Sequence, residues 1–164
     1  MKLIQINLNH CKAAKDLLSK TVLETKMEVA IICEQYSDLA SNWVSDSSKK
    51  AAIWSCGTYA IEECSTLPDV GFVRAKINGI HIYSCYAAPS LSLQEFELFL
   101  DRLTSDAKKY SPLIIAGDFN AWSIAWRSSK TNVRGHSLLE SFSKLKLVLL
   151  NDGNSPTFTK AGKE

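Results

Sequence analysis

The sequence predicts an α/β sandwich of mixed β-sheets flanked by helices. Two observations carry that expectation. Short apolar runs of strand length alternate with stretches that repeat apolar residues at helical spacing, the pattern of strands interleaved with helices. Asn78-Gly79 then stands between two strand-like runs, 72–77 and 80–86, marking an antiparallel hairpin that a purely parallel sheet would not contain. With 164 residues, 46% of them hydrophobic, the chain reads as one domain, 1–164, with enough apolar surface for a core.

The elements follow in order. Lys2 to Leu8 alternates, with Ile4, Ile6 and Leu8 on one face, so a strand starts almost at the first residue. Asn9 offers a cap for a helix carrying Ala14, Leu17, Leu18 and Val22. Val29 to Cys33 is a second apolar run, ending at Glu34. Ser37 to Lys50 reads as a polar surface loop around Trp43, and Ala51–Trp54 and Thr58–Ile61 as short strands. After the hairpin, Ser92 and Glu95 form a capping box that opens a helix with Phe96, Phe99, Leu100 and Leu103 on one face, ending near Tyr110.

Leu113 to Ala116 runs uninterrupted into Gly117, as a strand covered on both faces does. Ser123 to Gly135 reads as irregular and carries Arg127, Lys130 and Arg134; Trp122 and Trp126 read as core. Leu138, Leu139, Phe142 and Leu145 suggest a final helix, and Val148 to Leu150 a strand.

Composition excludes several classes. A net charge of +2 is no footprint of a purely electrostatic nucleic-acid binder. The five cysteines are odd in number and form no Cys-x-x-Cys pair, so they read as free thiols in a reducing compartment, without a disulfide framework or zinc site. Gln5 and Asn7 interrupt the N-terminal apolar run too early for a signal peptide, and no apolar stretch is of membrane-spanning length. An intracellular protein without membrane partners is expected.

The chemistry gathers at strand ends. Asn7 closes the first apolar run, Glu34 the second, Tyr86 the hairpin, and Asp118 and Asn120 the central strand. Strand ends along one sheet edge are where α/β proteins assemble their sites. A carboxylate and an amide two residues apart can hold and polarise one water or one phosphate oxygen; the same Gly-Asp-Phe-Asn also describes a turn whose polar residues cap the next segment. Glu34 alone also reads as a cap or a surface residue. Taken together these side chains offer oxygen ligands to a hard cation, and Mg²⁺ takes few carboxylates and keeps several waters.

In their order, Asn7 in Gln-Ile-Asn-Leu-Asn, Glu34 in Ile-Ile-Cys-Glu-Gln-Tyr, Tyr86 in Tyr-Ala-Ala-Pro and Gly-Asp-Phe-Asn at 117–120 resemble the endonuclease/exonuclease/phosphatase superfamily. Within it, the Gly-Asp-Phe-Asn-Ala block, Trp126, Arg134-Gly135 and Pro156-Thr157-Phe158 are similar to the apurinic-type endonuclease domain of R1-like non-LTR retrotransposons. The resemblance covers essentially the whole chain and implies a DNase I-like fold. It implies that Glu34 binds catalytic Mg²⁺, or Mn²⁺ in its place, with Asn7 beside it. Asp118 would orient or deprotonate the attacking water, Asn120 would hold the scissile phosphate, and Tyr86 would donate its hydroxyl to that phosphate. Thr157 matches a threonine near the DNA-contacting surface. The implied reaction nicks DNA, leaving a 3′-hydroxyl that primes a reverse transcriptase region of the same polyprotein, and the implied place of action is the nucleus. Independently of the resemblance, the basic stretch Arg127 to Arg134 reads equally as a set of phosphate contacts and as a solvated loop.

Two departures from the family pattern stand out. Cys33 occupies the position before Glu34 where the family usually has Gln. The family also continues into a strand bearing an Asp and a Ser-Asp-His motif, which this sequence does not contain, so a fragment lacking the last strands is expected, with an exposed sheet edge, marginal solubility and doubtful activity of its own. His10, His81 and His136 read as structural or exposed rather than as substitutes. Two rival functions fit the shared residues: another phosphoesterase of the superfamily acting on small esters, and an inactive, DNA-binding remnant of a retroelement.

Overall fold

A computed structural model describes residues 1–37 and 41–151. The chain divides into two compact units, Met1–Asn120 and Ala121–Glu164.

The first unit holds two four-stranded mixed sheets. Strands β1 (Leu3–Asn7), β2 (Val29–Cys33), β3 (Trp43–Ser45) and β4 (Ala51–Ser55) form one sheet in the order β1-β2-β4-β3. Strands β5 (Ile61–Cys64), β6 (Phe72–Ile77), β7 (Ile80–Tyr86) and β8 (Leu113–Asp118) form the other, in sequence order. Each sheet contains one parallel pair, β1 with β2 and β7 with β8, and its other pairings are antiparallel.

The period of two explains the layers. Val29 and Ile31 of β2 join Ile53 of β4 and Val73, Ala75, Ile77 and Ile82 of the second sheet in a core between the sheets. The alternate residues Ala30 and Ile32 face helix α1 (Lys12–Thr25), packing with Leu18 and Val22. This is why Val-Ala-Ile-Ile-Cys has no polar position: β2 is covered on both faces. Helix α2 (Leu93–Ala107) buries Phe96, Phe99, Leu100 and Leu103, and the Phe99 ring meets Phe72 at 6.2 Å between centroids. Each such side chain contributes about 1.5–3 kcal/mol on burial. The Ser92–Glu95 capping box forms as expected, and the hairpin turns through Asn78 (φ 50°) and Gly79 (φ 73°), a left-handed pair.

Several expectations need correction. The cap of α1 is Cys11, without a side-chain bond, because Asn9 and His10 both adopt left-handed backbone (φ 46° and 52°) and spend two residues on a turn before the helix. Leu17 lies on the solvent side of α1. The expected loop 37–50 contains β3, where Trp43 pairs opposite Trp54 across the sheet with ring centroids 6.3 Å apart. The strand expected at 58–61 instead runs Ile61–Cys64, drawn into register by Ile77 and Ala75 of β6. Most consequential is β8: its apolar run suggested burial on both faces, yet every residue in it is half-buried. Among the described residues β8 pairs only with β7, which makes it an edge strand.

In the second unit a 3₁₀ turn spans Ile124–Trp126, and helix α3 (Val133–Ser143) opens with Asn132, whose Oδ1 accepts from the Gly135 N–H at 2.8 Å. Arg134 and Gly135 therefore belong to a helix rather than to the irregular stretch expected there. Trp122, expected in the core, is half exposed, whereas the half-buried Trp126 donates its Nε1–H to the Ala121 carbonyl at 3.1 Å. Val148 to Leu150 form no strand and are exposed. No helix among the described residues is long and apolar enough to cross a membrane.

Candidate functional site

Both parallel pairs end at one edge of the first unit, and their last residues carry the polar side chains. Asn7 is the final residue of β1, opposite Cys33 at the end of β2, and Tyr86 is opposite Asp118 at the ends of β7 and β8. Two hydrogen bonds then tie the sheets together: Asn7 Nδ2 donates to Asp118 Oδ2 at 3.0 Å, and the Tyr86 hydroxyl donates to Glu34 Oε1 at 2.8 Å.

Backbone conformation aims these groups. Glu34 leaves β2 in a left-handed conformation (φ 49°), while its N–H bonds the Lys50 carbonyl at 2.7 Å and its carbonyl accepts from His10 N–H at 2.9 Å. Asn120, also left-handed (φ 46°), folds back so that its N–H reaches Asp118 Oδ1 at 3.0 Å and its Nδ2 reaches the Ala87 carbonyl at 3.1 Å. The turn, rather than a continued strand alternation, brings Asn120 beside Asp118. Gly117 makes the close strand approach feasible: a Cβ there would lie 1.9 Å from the Cys85 carbonyl oxygen, and its φ of 150° is disfavoured for L side chains.

The electrostatics are those of a half-buried acidic site. Burial first, then the bond to Glu34 and the charge of that carboxylate, raise the Tyr86 pKa well above the tyrosine norm, so the phenol stays a donor. Cys33, buried beneath both carboxylates with its thiol on the Cys85 carbonyl at 3.2 Å, is pushed up to about 12, chiefly by desolvation. All five cysteines are free thiols.

A hard divalent cation fits the donor set. Glu34 Oε2 has no partner among the described residues, Asn7 presents an amide oxygen that already accepts from Asn9 N–H at 2.8 Å, and no group of three or more His, Cys, Asp or Glu that could hold a metal ion occurs among the described residues. One carboxylate and one amide, with water completing the shell, is a Mg²⁺-type arrangement rather than a zinc cage.

Asn7, Glu34, Tyr86, Asp118 and Asn120, which sequence reading selected, thus come together. Arg127 is exposed at a left-handed position after the 3₁₀ turn, whereas Arg134 is buried in α3. Thr157 lies outside the described residues. Sequence reading did not place two neighbours, His10 and Lys50, at the site. His10 Nε2 approaches Glu34 Oε1 at 3.8 Å, with its Nδ1 2.9 Å from the Gln35 carbonyl, and Lys50 Nζ stands 5.8 Å from the centre of the Tyr86 ring. His10 follows the first strand by three residues and Lys50 directly precedes β4, positions that local periodicity does not distinguish from ordinary surface.

A family model described as endonuclease-reverse transcriptase matches residues 80–164, just over half of the chain. The endonuclease domain of TRAS1, a telomere-specific non-LTR retrotransposon, superposes with a TM-score of 0.82 at 26% identity, over 95% of this chain and 77% of that one. An AP endonuclease from Archaeoglobus fulgidus superposes at 0.66 with 17% identity, over 88% and 71%. The 3′ phosphatase NExo from Neisseria, bound to product DNA hairpin, superposes at 0.60 with 15% identity, over 86% and 71%. The last two likenesses concern the fold, which is the DNase I-like one. No curated protein sequence matches the chain.

Proposed function

Because this chain belongs to the endonuclease-reverse transcriptase family and is thereby a hydrolase of phosphodiester bonds, we propose that it nicks DNA with the aid of a divalent cation, leaving a 3′-hydroxyl for a reverse transcriptase region of the same polyprotein. The nucleus is the proposed place of action. The observation that carries the reading is the pair of inter-sheet bonds, Asn7 to Asp118 and Tyr86 to Glu34, which converges four strand ends on one spot.

Glu34 and Asn7 would hold the ion, Mg²⁺ or Mn²⁺ in its place. When bound, such an ion neutralises charge developing on the phosphate and the leaving oxygen. Asp118 orients the attacking water and takes its proton, since each of its oxygens accepts only one hydrogen bond and keeps a lone pair free. Asn7 Nδ2 and the Asn120 N–H fix that carboxylate in place. Asn120 is poised to hold the scissile phosphate, and the Tyr86 phenol, kept protonated, would turn its single hydrogen from Glu34 to a phosphate oxygen once the ion occupies Glu34. Arg127 and Thr157 are proposed DNA contacts; Arg134, buried in α3, is better suited to packing.

A supercoiled-plasmid nicking assay with Mg²⁺ tests the reading on the wild-type chain and on Asp118→Ala. Nicking that falls at least about 10²-fold in the variant is expected. Nicking equal in both would refute the assignment, and release of phosphate from small esters without nicking would move the chain to a different phosphoesterase activity.

A further inference from the structure

The outer face of the second sheet carries a cleft that the strand-end chemistry does not use. Val73, Ala75 and Ile77 of β6 point into the core between the sheets, so Arg74 points the other way, toward α2. There Arg74, Arg102, Ser105, Asp106, Lys109 and Tyr110 line a cleft of about 460 Å³, a volume in the range that small ligands occupy.

Arg74 sets this cleft apart. It is 5% exposed, and its guanidinium is held on three sides. Nη1 donates to Glu63 Oε1 at 2.8 Å and lies 3.2 Å from His81 Nδ1, while the Tyr110 ring stacks 4.0 Å from Cζ. Those bonds engage one nitrogen. Nε is buried, and neither it nor Nη2 makes a hydrogen bond to the described residues. Asp106 Oδ2 stops 4.0 Å short of Nε, because it accepts from the Tyr83 hydroxyl at 2.8 Å while Oδ1 faces Lys109 Nζ at 3.3 Å. Buried donors are normally satisfied, so a rigid, unpaired Nε–Nη2 edge in a cleft wall is a receptor for a matching acceptor.

That edge selects the chemistry of the ligand. Two parallel N–H donors in one plane fit the two oxygens of a carboxylate. The surrounding charges limit the ligand further. Arg74 faces Glu63, Arg102 faces Asp69 at 3.2 Å and Lys109 faces Asp106, so the cleft has no surplus of cations and disfavours a polyanion such as a nucleic-acid backbone. Leu67 and Phe72 add apolar wall. We propose that this cleft binds a small monocarboxylate, its carboxylate seated on Arg74 Nε and Nη2 and its apolar body against Leu67 and Phe72. The site stands independently of the nuclease reading.

The test is a titration of the ¹⁵N-labelled full chain with benzoate at constant ionic strength, followed by NMR at the Arg74 Nε–H resonance. Benzamide, sodium chloride and inorganic phosphate are titrated in parallel. Arg74→Lys keeps the charge but removes the fork. Ser105→Glu adds a negative charge to the cleft from an exposed position on α2, which leaves the core untouched. A saturable shift of the Arg74 resonance with benzoate alone is expected. Each variant is expected to weaken binding by about tenfold or more, with the Arg74 resonance of Ser105→Glu unmoved before benzoate is added. Should Arg74→Lys fail to fold, Ser105→Glu decides. The absence of a saturable shift at Arg74, an equal response to benzamide or chloride, or wild-type affinity in Ser105→Glu overturns the inference. Phosphate bound as tightly as benzoate overturns the assignment to carboxylates.

Discussion

Gly117→Ala probes the join between fold and site. Gly117 faces Cys85 across the parallel β7–β8 pair, one residue before Asp118. An added Cβ would lie 1.9 Å from the Cys85 carbonyl oxygen and 2.7 Å from its carbon, both backbone atoms that no rotamer change can move. Raising the closest contact to the tightest distance that real Cβ atoms tolerate, 3.0 Å, requires the strands to part by about 1.1 Å. The neighbouring bond from Ala87 N–H to the Asp118 carbonyl, now 2.9 Å, then stretches to about 4 Å and is lost. With a second ladder bond strained alongside it, and about 1–3 kcal/mol for each buried group left unpaired, the expected destabilisation is about 2–5 kcal/mol. The same displacement moves Asp118 off its bond to Asn7, and a misplacement of about 1 Å at a reacting group costs about 10²-fold in rate. Urea denaturation and plasmid nicking measure the two effects. A variant within about 0.5 kcal/mol of wild type that nicks normally would refute the account of how β8 is held.

Other outcomes follow from the same geometry. Tyr86→Phe removes the hydroxyl that bonds Glu34, and with it the proposed donor to a charged phosphate, and is expected to slow nicking by about 10- to 100-fold with the fold retained. Its effect on alkaline stability has a definite sign. The raised Tyr86 pKa means that its neutral form stabilises the fold fully below about pH 10, and that this contribution drains away as pH rises toward the folded-state value. Wild type should therefore lose stability to alkali more steeply than Tyr86→Phe, and parallel urea curves from neutral to alkaline pH would contradict this. Phe99→Ala, which removes a ring packed against Phe72, Phe96 and Phe119, is expected to cost about 3–5 kcal/mol by denaturation; a cost under about 1 kcal/mol would mean that α2 is not anchored there. Alkylation of the native protein near neutral pH, mapped by mass spectrometry, is expected to label exposed Cys11 and Cys64 first. Cys33, held near 12, and fully buried Cys85 should react only on unfolding. Labelling of either as fast as Cys11 would show that the sheets open.

What the sequence determined by itself is local. Asn78-Gly79 specifies the hairpin because both of its residues tolerate left-handed backbone, and the Ser92–Glu95 box starts α2 because its bonds close within one turn. The site residues were legible as types at strand ends for the same reason: an apolar run that stops on Asn7, Glu34, Tyr86 or Asp118 leaves a polar group where the covered sheet gives way to solvent. Tertiary structure decided the rest. Trp43 became strand because Trp54 stands opposite it, and β5 shifted because β6 set its register. The run Leu113–Asp118 is half exposed because sheet order, which no local pattern encodes, leaves β8 at an edge among the described residues. Asn7 meets Asp118 across 111 residues of sequence, Glu34 meets Tyr86 across 52, and His10 and Lys50 reach the same carboxylate and phenol from turns that look like ordinary surface. Hydrogen bonds and charges act over a few ångströms in space, so only the packing of one sheet on the other could turn five separated polar residues into one site.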